Sequence, residues 1–123
     1  MSDNYIKLGD LDVYKLAIEL SDTAWGIYEE MDWRTKKIVG DQFIEAVDSI
    51  GANIAEGYGR YHYKDKVKFF YNSRGSLLES KHWTLLIQKR KLAEENKIKD
   101  LMENLNNHHK ALNTYISSYY KKN

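Results

Sequence analysis

Apolar residues recur in steps of three and four along most of the chain, and no proline interrupts them. Steps of this length place side chains on one face of an α-helix, whereas a half-buried strand alternates with a period of two. No stretch of the sequence alternates in that way. Proline breaks helix interiors, so its absence suits long helices joined by short turns. The sequence therefore predicts an all-α protein.

Four helices follow from this spacing, at about residues 10–31, 36–58, 64–91 and 95–120. Thr35 is a plausible N-cap for the second helix, and Gly57 and Gly59 are expected to end it, since glycine tolerates the left-handed conformation. Short connections and one apolar face per helix predict an antiparallel up-down-up-down four-helix bundle, in a single domain over residues 1–123.

The third and fourth helices have the most detailed apolar patterns. In the third, the expected core positions are Val67, Phe70 or Tyr71, Leu77 or Leu78, and Leu85. The fourth carries a heptad seam, formed by Ile98, Met102, Leu105, His109, Leu112, Ile116 and Tyr119. In this seam a hydrogen-bonded, semi-buried His109 is a better interpretation than a metal ligand.

Composition excludes several classes of protein. With 123 residues, the chain is long enough to bury a core without a metal or disulfide. It has no cysteine, which removes disulfides and thiolate chemistry and is compatible with a reducing compartment. The apolar runs are too short for a transmembrane helix, and the first residues do not resemble a secretory signal. We expect a cytoplasmic protein that does not act at a membrane.

Charge is distributed unevenly along the chain. Residues 1–59 contain five Lys or Arg and twelve Asp or Glu, whereas residues 60–91 contain nine and two. Acidic and basic helices could neutralise each other within or between subunits. Alternatively, the basic segment is a nucleic-acid site, because phosphates need cations and unpaired bases need aromatic platforms. The candidates are Arg60, Lys64, Lys66 and Lys68 for phosphate, with Tyr61 or Tyr63 for base stacking.

Polar residues form a stripe on the second helix. Ser49, Asn53, Glu56 and Arg60 step by four, three and four, and so share one face. Glu56 and Arg60 are spaced for an ion pair. Polar side chains among apolar ones need partners, so we expect a hydrogen-bonded network that fixes helix packing within or between subunits, in preference to an active site.

Three blocks of sequence carry a family resemblance: residues 12–17, residues 49–60, and residues 69–70 with 74–79. Together they resemble the bacterial 23S rRNA intervening-sequence protein family, over about residues 10–120. Relatives include the accessory variability determinant of diversity-generating retroelements, which partners a reverse transcriptase. The family signature falls on Ser49, Asn53, Glu56, Gly57, Gly59, Arg60, Gly75, Ser76 and Glu79.

The resemblance implies an antiparallel four-helix bundle in a ring-like homopentamer, with no known enzymatic activity and a role with nucleic acid or a ribonucleoprotein. It also adds Arg74 and Glu79 to the polar network. Two departures stand out: Glu45-Ala46 replaces the usual Arg-Ala, and the proline usual before the second helix is missing near Asp32. The first departure weakens any nucleic-acid assignment on the second helix. Gly51, Gly57 and Gly75 are expected at close helix contacts, because helical glycine otherwise only destabilises.

Catalytic chemistry finds little support in the sequence. A di-iron bundle needs two Glu-x-x-His motifs, and this chain has one, Glu79 to His82. The serines lack a Gly-x-Ser-x-Gly turn, and no phosphate-binding glycine loop is present. We therefore expect no enzyme, metal, cofactor or small-molecule substrate. Two hypotheses stay open: a homo-oligomer that binds structured RNA or a ribonucleoprotein through the third helix, and a protein-interaction scaffold without nucleic-acid binding.

Overall fold

Four helices make up the regular structure of the computed structural model, which describes residues 6–121. Helix α1 (Asp12–Glu29) follows a 3-10 turn (Leu8–Asp10). Helix α2 consists of three contiguous segments, namely Trp33–Thr35, the π-helical Lys36–Gly40, and Asp41–Tyr58. Helices α3 (Tyr63–Lys89) and α4 (Glu95–Lys121) complete the bundle. Residues 6–121 contain no strand, which confirms the all-α prediction.

The helices pack as a closed set of neighbours around one core. Helix α2 contacts α1 and α3, and α4 contacts α3 and α1. Each helix contributes apolar side chains that are almost fully removed from water, including Ala17, Leu20, Ile27, Phe43, Val47, Ile50, Ile54, Phe70, Leu77, Ile87, Ile98, Leu101, Leu105 and Leu112. Burial of these side chains is the main stabilising contribution in a bundle of this kind.

The connections differ from the expectation in two places. Helix α2 begins three residues earlier than predicted, at Trp33, because the Asp32 carboxylate accepts the Thr35 amide at 2.8 Å and acts as the N-cap in place of Thr35. At the other end Gly59 has φ −80°, so the prediction of a left-handed stop there is wrong. Among residues 6–121 the left-handed conformation is found at Lys91 (φ 56°), just after the end of α3.

Helices α2 and α3 approach each other closely at Gly57. A β-carbon on Gly57 would lie 2.8 Å from Phe70 Cε1 and 2.9 Å from the Lys66 carbonyl oxygen. Further along the same contact, the buried Ser73 hydroxyl donates to the Ile50 carbonyl at 2.7 Å. The close contact predicted for Gly57 is confirmed, and Gly51 is also tight, at 3.3 Å from Ala17 Cβ. Gly75 has nothing within 4 Å, so packing within the chain does not account for it.

Helix α3 has apolar residues on two faces, which explains an error in the prediction. Val67, Phe70 and Leu77 face the core, but Leu85 is exposed, as are the neighbouring alternatives at 71 and 78. The core positions near the end of α3 are held by Thr84 and Ile87. Small hydroxyl residues fill the gaps in the inner face by bonding to backbone carbonyls of α2 and α3.

In α4 the histidine at the core position is His108, whereas the predicted seam contained His109. His108 is buried, with 1% of its surface exposed, and its Nε2 donates to the Val13 carbonyl of α1 at 2.9 Å. His109 is semi-buried and its Nδ1 accepts from Lys81 Nζ at 2.8 Å, as a hydrogen-bonded histidine should. Burial lowers the pKa of His108, and the nearby His109 adds to this effect.

We predict opposite effects for alanine at two helical glycines. Gly57→Ala should lower the free energy of unfolding by about 1–3 kcal/mol, the usual cost of overpacking, because the Lys66 carbonyl cannot move aside. Gly26→Ala is the matched control: nothing lies within 4 Å of its β-carbon. This variant should be more stable by about 0.5–1 kcal/mol. Urea denaturation measures both, and a Gly57→Ala protein as stable as wild type would contradict the close contact.

His108 should make stability depend on pH. The histidine titrates near its ordinary pKa of about 6.5 in the unfolded chain but at lower pH when buried, so the unfolded state binds more protons below that value. The free energy of unfolding should therefore fall as the pH is lowered through about 6.5. His108→Gln keeps a donor for Val13 and should flatten this dependence. Burial and the nearby Lys81 also lower the pKa of His109, so His109→Gln should reduce the pH dependence separately. Equal slopes for wild type and His108→Gln would contradict the assignment.

Candidate nucleic-acid interface

An open groove lies where the start of α3 meets the end of α4. Its volume is about 1000 Å³, and its walls are both cationic and aromatic. Three of the residues predicted for nucleic-acid binding line it: Tyr63, Lys64 and Lys68. The remaining lining residues were not predicted, namely His62, Val67, Tyr71, Asn72 and Tyr120. The groove is the place where the structure brings predicted cations and aromatic rings together.

The three lysines at the start of α3 lie on two different sides of the helix. Lys64 and Lys68 are one helical turn apart, exposed, and on the groove. Lys66 lies on another side of the helix, where its Nζ donates to the Tyr58 carbonyl at 2.9 Å and sits 5.4 Å from the Tyr58 ring. Burial lowers the pKa of Lys66. A cation at this carbonyl stabilises the end of α2, so the structure gives Lys66 a role inside the bundle.

Two tyrosines from different helices, Tyr71 of α3 and Tyr120 of α4, meet at one wall of the groove. The Tyr71 and Tyr120 hydroxyl groups are 2.8 Å apart and share a hydrogen bond, which raises the pKa of Tyr120. The Arg74 guanidinium lies 4.7 Å from the centre of the Tyr71 ring, and its Nη1 donates to Asn113 at 2.8 Å. Arg74 is not part of the groove wall, so it braces the Tyr71 ring from outside the groove.

Arg60 and Tyr61 lie outside the groove, in the connection between α2 and α3. Arg60 forms an ion pair with Glu56 at 2.6 Å and lies 4.7 Å from the centre of the Phe69 ring. Tyr61 is 91% exposed and has an edge contact with His62, with ring centres 5.0 Å apart. Both side chains are accessible, but neither shares a wall with Lys64 and Lys68.

The polar stripe of α2 forms hydrogen bonds between residues one helical turn apart, in α2 and just after its end. The Ser49 hydroxyl donates to the Glu45 carbonyl at 2.8 Å, and the Asn53 side chain donates to the Ser49 carbonyl at 2.9 Å. Glu56 bonds Arg60, one turn further on. The stripe is half-buried at Ser49 and Asn53 and exposed at its end, so it lies at the surface of this chain.

Glu79 and His82 do not form part of a metal site in the described chain. Glu79 accepts a hydrogen bond from Trp83 Nε1 at 3.1 Å, and His82 contacts the same ring, with centres 4.9 Å apart. Among residues 6–121, no group of three or more acidic or histidine side chains is placed to hold a metal ion. The Glu-x-x-His spacing here therefore serves contacts along the helix surface.

The described ion pairs leave the lysines at the groove without an acidic partner. These pairs join Glu56 to Arg60 and Glu30 to Lys97, and neither involves α3. The first pair connects the acidic and basic segments at their boundary. Lys64 and Lys68 have no ion-pair partner among the described residues. None of the helices described is both long and apolar enough to cross a lipid bilayer.

We predict that the three lysines differ in their effect on stability. Lys66→Met removes the hydrogen bond to Tyr58 and should lower the free energy of unfolding by about 1–2 kcal/mol. Lys64→Met and Lys68→Met change exposed side chains and should stay within about 0.5 kcal/mol of wild type. Urea denaturation of the three variants is the measurement. Equal effects at all three positions would contradict the internal role of Lys66.

Comparison with known proteins supplies the family. The model of the 23S rRNA-intervening sequence protein family matches residues 9–114. The chain is also similar in fold to a solved protein of unknown function from the S23 ribosomal protein family of Bacteroides thetaiotaomicron, with a TM-score of 0.76 and 16% identity, over 85% of this chain and 97% of that one. No curated protein matches. With most of its length matched by the family model, the chain belongs to the 23S rRNA-intervening sequence protein family.

Proposed function

We propose that this protein is a non-catalytic, oligomeric bundle that binds structured RNA, alone or in a ribonucleoprotein, through the basic surface at the start of α3. One observation carries the proposal: two lysines without acidic partners in the described chain, Lys64 and Lys68, border a groove with tyrosine walls. Cations attract phosphate, and aromatic rings receive bases, so the groove combines both elements of RNA recognition. The family name, which refers to an intervening sequence of 23S rRNA, makes structured RNA the first ligand to test.

The distribution of perturbed groups supports a binding function over a catalytic one. Catalytic sites gather groups with shifted pKa values in one cleft. Here the described groups with shifted pKa values are dispersed over the bundle, from Tyr28 and Lys97 at one end to His108 in the core. In the groove, the shifted group is Tyr120, and its hydrogen bond with Tyr71 accounts for the shift.

Charge reversal tests the RNA proposal. A fluorescent RNA hairpin should bind with an affinity that falls steeply with salt, because bound cations release counterions from the phosphates. The double variant Lys64→Glu/Lys68→Glu should weaken binding and reduce the slope of log affinity against log salt by about two. Fluorescence anisotropy across a salt series measures both quantities.

The control carries the same charge change at the other end of the bundle. Lys89→Glu/Lys99→Glu changes two exposed lysines, with residue 99 about 30 Å from the groove along α4. This variant should keep the wild-type slope. Equal loss of affinity in both double variants would mean that net charge, not the α3 surface, governs binding.

We also infer that the helices run in the predicted up-down-up-down order. The contacts between neighbouring helices support it, since higher residue numbers in one helix meet lower residue numbers in its neighbour. The supporting pairs are Tyr28 with Asp41, Ile50 with Ser73, Tyr71 with Tyr120, Lys81 with His109, Val13 with His108, and Glu30 with Lys97.

Assembly into a homo-oligomer is supported by an outward-facing set of residues on α3, which we name the outer stripe: Gly75, Leu78, His82 and Leu85. They step by three, four and three on the face opposite the core, and Leu78 and Leu85 remain 51% and 42% exposed. Gly75 has no packing reason within the chain. A ring requires two different complementary surfaces, and the outer stripe supplies one of them away from Lys64 and Lys68.

The outer stripe leads to a prediction about the mass of the protein in solution. Wild-type protein should run as an oligomer, and a pentamer of the 14.5 kDa chain has a mass of about 73 kDa. Leu78→Glu/Leu85→Glu should shift the mass toward the monomer while the helical circular dichroism is retained, because both side chains are exposed. Ile38→Glu, at another exposed apolar position, is the control. Light scattering after size exclusion decides, and an unchanged mass in the double variant would exclude the stripe from the interface.

The outer stripe also supports a second candidate function, that of a protein-interaction scaffold that does not bind nucleic acid. Exposed leucines in a regular row are typical of protein interfaces. The same experiments separate the two functions. An intact oligomer that binds no hairpin at low salt would favour the scaffold over RNA binding.

A further inference from the structure

We propose that the groove between α3 and α4 binds one unpaired nucleotide, with its base against the rings of Tyr71 and Tyr120 and its phosphate at Lys64 and Lys68. This inference rests on the proposed RNA-binding function and specifies the part of the RNA that is recognised. It predicts that single-stranded segments, loops or ends occupy the groove, and that a continuous duplex does not.

The first support is the shape and chemistry of the groove wall. Val67 is buried at its base, while Tyr71 and Tyr120 remain 38% and 52% exposed beside it. The shared hydrogen bond between their hydroxyl groups, at 2.8 Å, joins α3 to α4 and holds both rings in place. A rigid aromatic wall of this kind loses little conformational entropy when a flat ligand stacks on it.

The second support is the position of the cations. Lys64 and Lys68 stand on the same wall as Tyr71, at intervals of four and three residues, so all three share one face of α3. Asp65, three residues before Lys68, does not line the groove. A phosphate bound by the lysines is thus covalently connected, through ribose, to a base within reach of the tyrosine rings.

The third support concerns which nucleic acid can use such a wall. Bases in a duplex are stacked on one another, so their faces are closed to protein side chains. Unpaired bases expose both faces and stack on aromatic rings without strict sequence preference. Asn72 and His62, at the rim, can offer hydrogen bonds to a base edge or ribose. A groove of about 1000 Å³ is large enough to admit a nucleotide.

The experiment compares two RNAs with the same number of nucleotides. The probes are a fluorescein-labelled uridine 24-mer and a blunt-ended 12-base-pair RNA duplex, each titrated with the full-length protein by anisotropy. The single strand should bind more tightly than the duplex, because the duplex has no unpaired base. Tyr71→Leu or Tyr120→Leu should weaken the single strand roughly five- to hundred-fold, the range measured when stacking rings are removed.

Two further variants distinguish stacking from general damage. Tyr120→Phe keeps the ring but loses the hydroxyl bond to Tyr71, so it should retain more affinity for the single strand than Tyr120→Leu. Tyr61→Leu removes a highly exposed tyrosine near the groove but outside it, and should not change binding. Thermal melts by circular dichroism confirm that each variant is folded before its affinity is used.

Competition identifies the recognised unit. Uridine monophosphate should displace the labelled strand at lower concentration than inorganic phosphate or a glutamate 12-mer, because only the nucleotide offers a base. Competition by the glutamate 12-mer at the same concentration as the nucleotide would show a site for acidic chains, including protein segments, and would overturn the nucleotide site.

The outcomes separate this inference from the proposed function. If duplex and single strand bind equally, depend on Lys64 and Lys68, and are unaffected by the tyrosine variants, then RNA binding stands and the nucleotide site is overturned. If uridine monophosphate binds in a Tyr71-dependent manner but neither RNA does, then the site stands for a free nucleotide and the proposed function fails. If nothing binds, both fail.

Discussion

The close contact between α2 and α3 at Gly57 is the constraint on which the rest of the molecule depends. It allows the Phe70 ring to pass beside the α2 backbone, and one helical turn earlier it brings Lys66 to the end of α2. Together with the Ser73 hydroxyl on the Ile50 carbonyl, these contacts fix how far α3 is rotated about its axis. Once that rotation is set, Lys64, Lys68 and Tyr71 must face away from α2.

The composition of α3 follows from this geometry. A helix packed so closely cannot bury large side chains along its whole inner face, so Ser73, Ser80 and Thr84 take core positions and bond to backbone carbonyls. The larger apolar side chains that remain, Leu78 and Leu85, lie on the outside. Helix α3 is therefore both a core element and the surface with the most chemistry to offer a partner. The same asymmetry underlies the proposals for RNA binding and for assembly.

The sequence predicts the helices well but resolves their faces only in part. The spacing of three and four places each helix, because core burial imposes it. It does not distinguish two apolar stripes on one helix, so Leu85 was predicted to face the core and is exposed. The spacing also did not identify which of the adjacent His108 and His109 faces the core. Neighbouring residues point about 100° apart around a helix, and the buried one is His108.

The groove illustrates what sequence cannot supply. Lys64 and Lys68 were predicted from charge, and the spacing of Tyr71 on the same face was available as a signal. Tyr120 could not be assigned to the site, because it is 49 residues from Tyr71 and only the packing of α4 on α3 joins them. Conversely, the sequence does not distinguish Lys66 from the neighbouring lysines, and its structural role follows only from the hydrogen bond to the Tyr58 carbonyl. Local spacing identifies faces, and tertiary packing decides which faces meet.

Photochemical crosslinking tests the central claim that RNA lies against the tyrosine wall at the start of α3. A single-stranded RNA carrying 5-iodouridine forms covalent bonds to nearby aromatic side chains on irradiation, and mass spectrometry locates them. We expect the crosslinks at Tyr71 and Tyr120, and their loss in Lys64→Glu/Lys68→Glu. Crosslinks confined to Tyr61 or to the acidic helices α1 and α2, with none in the groove, would contradict it.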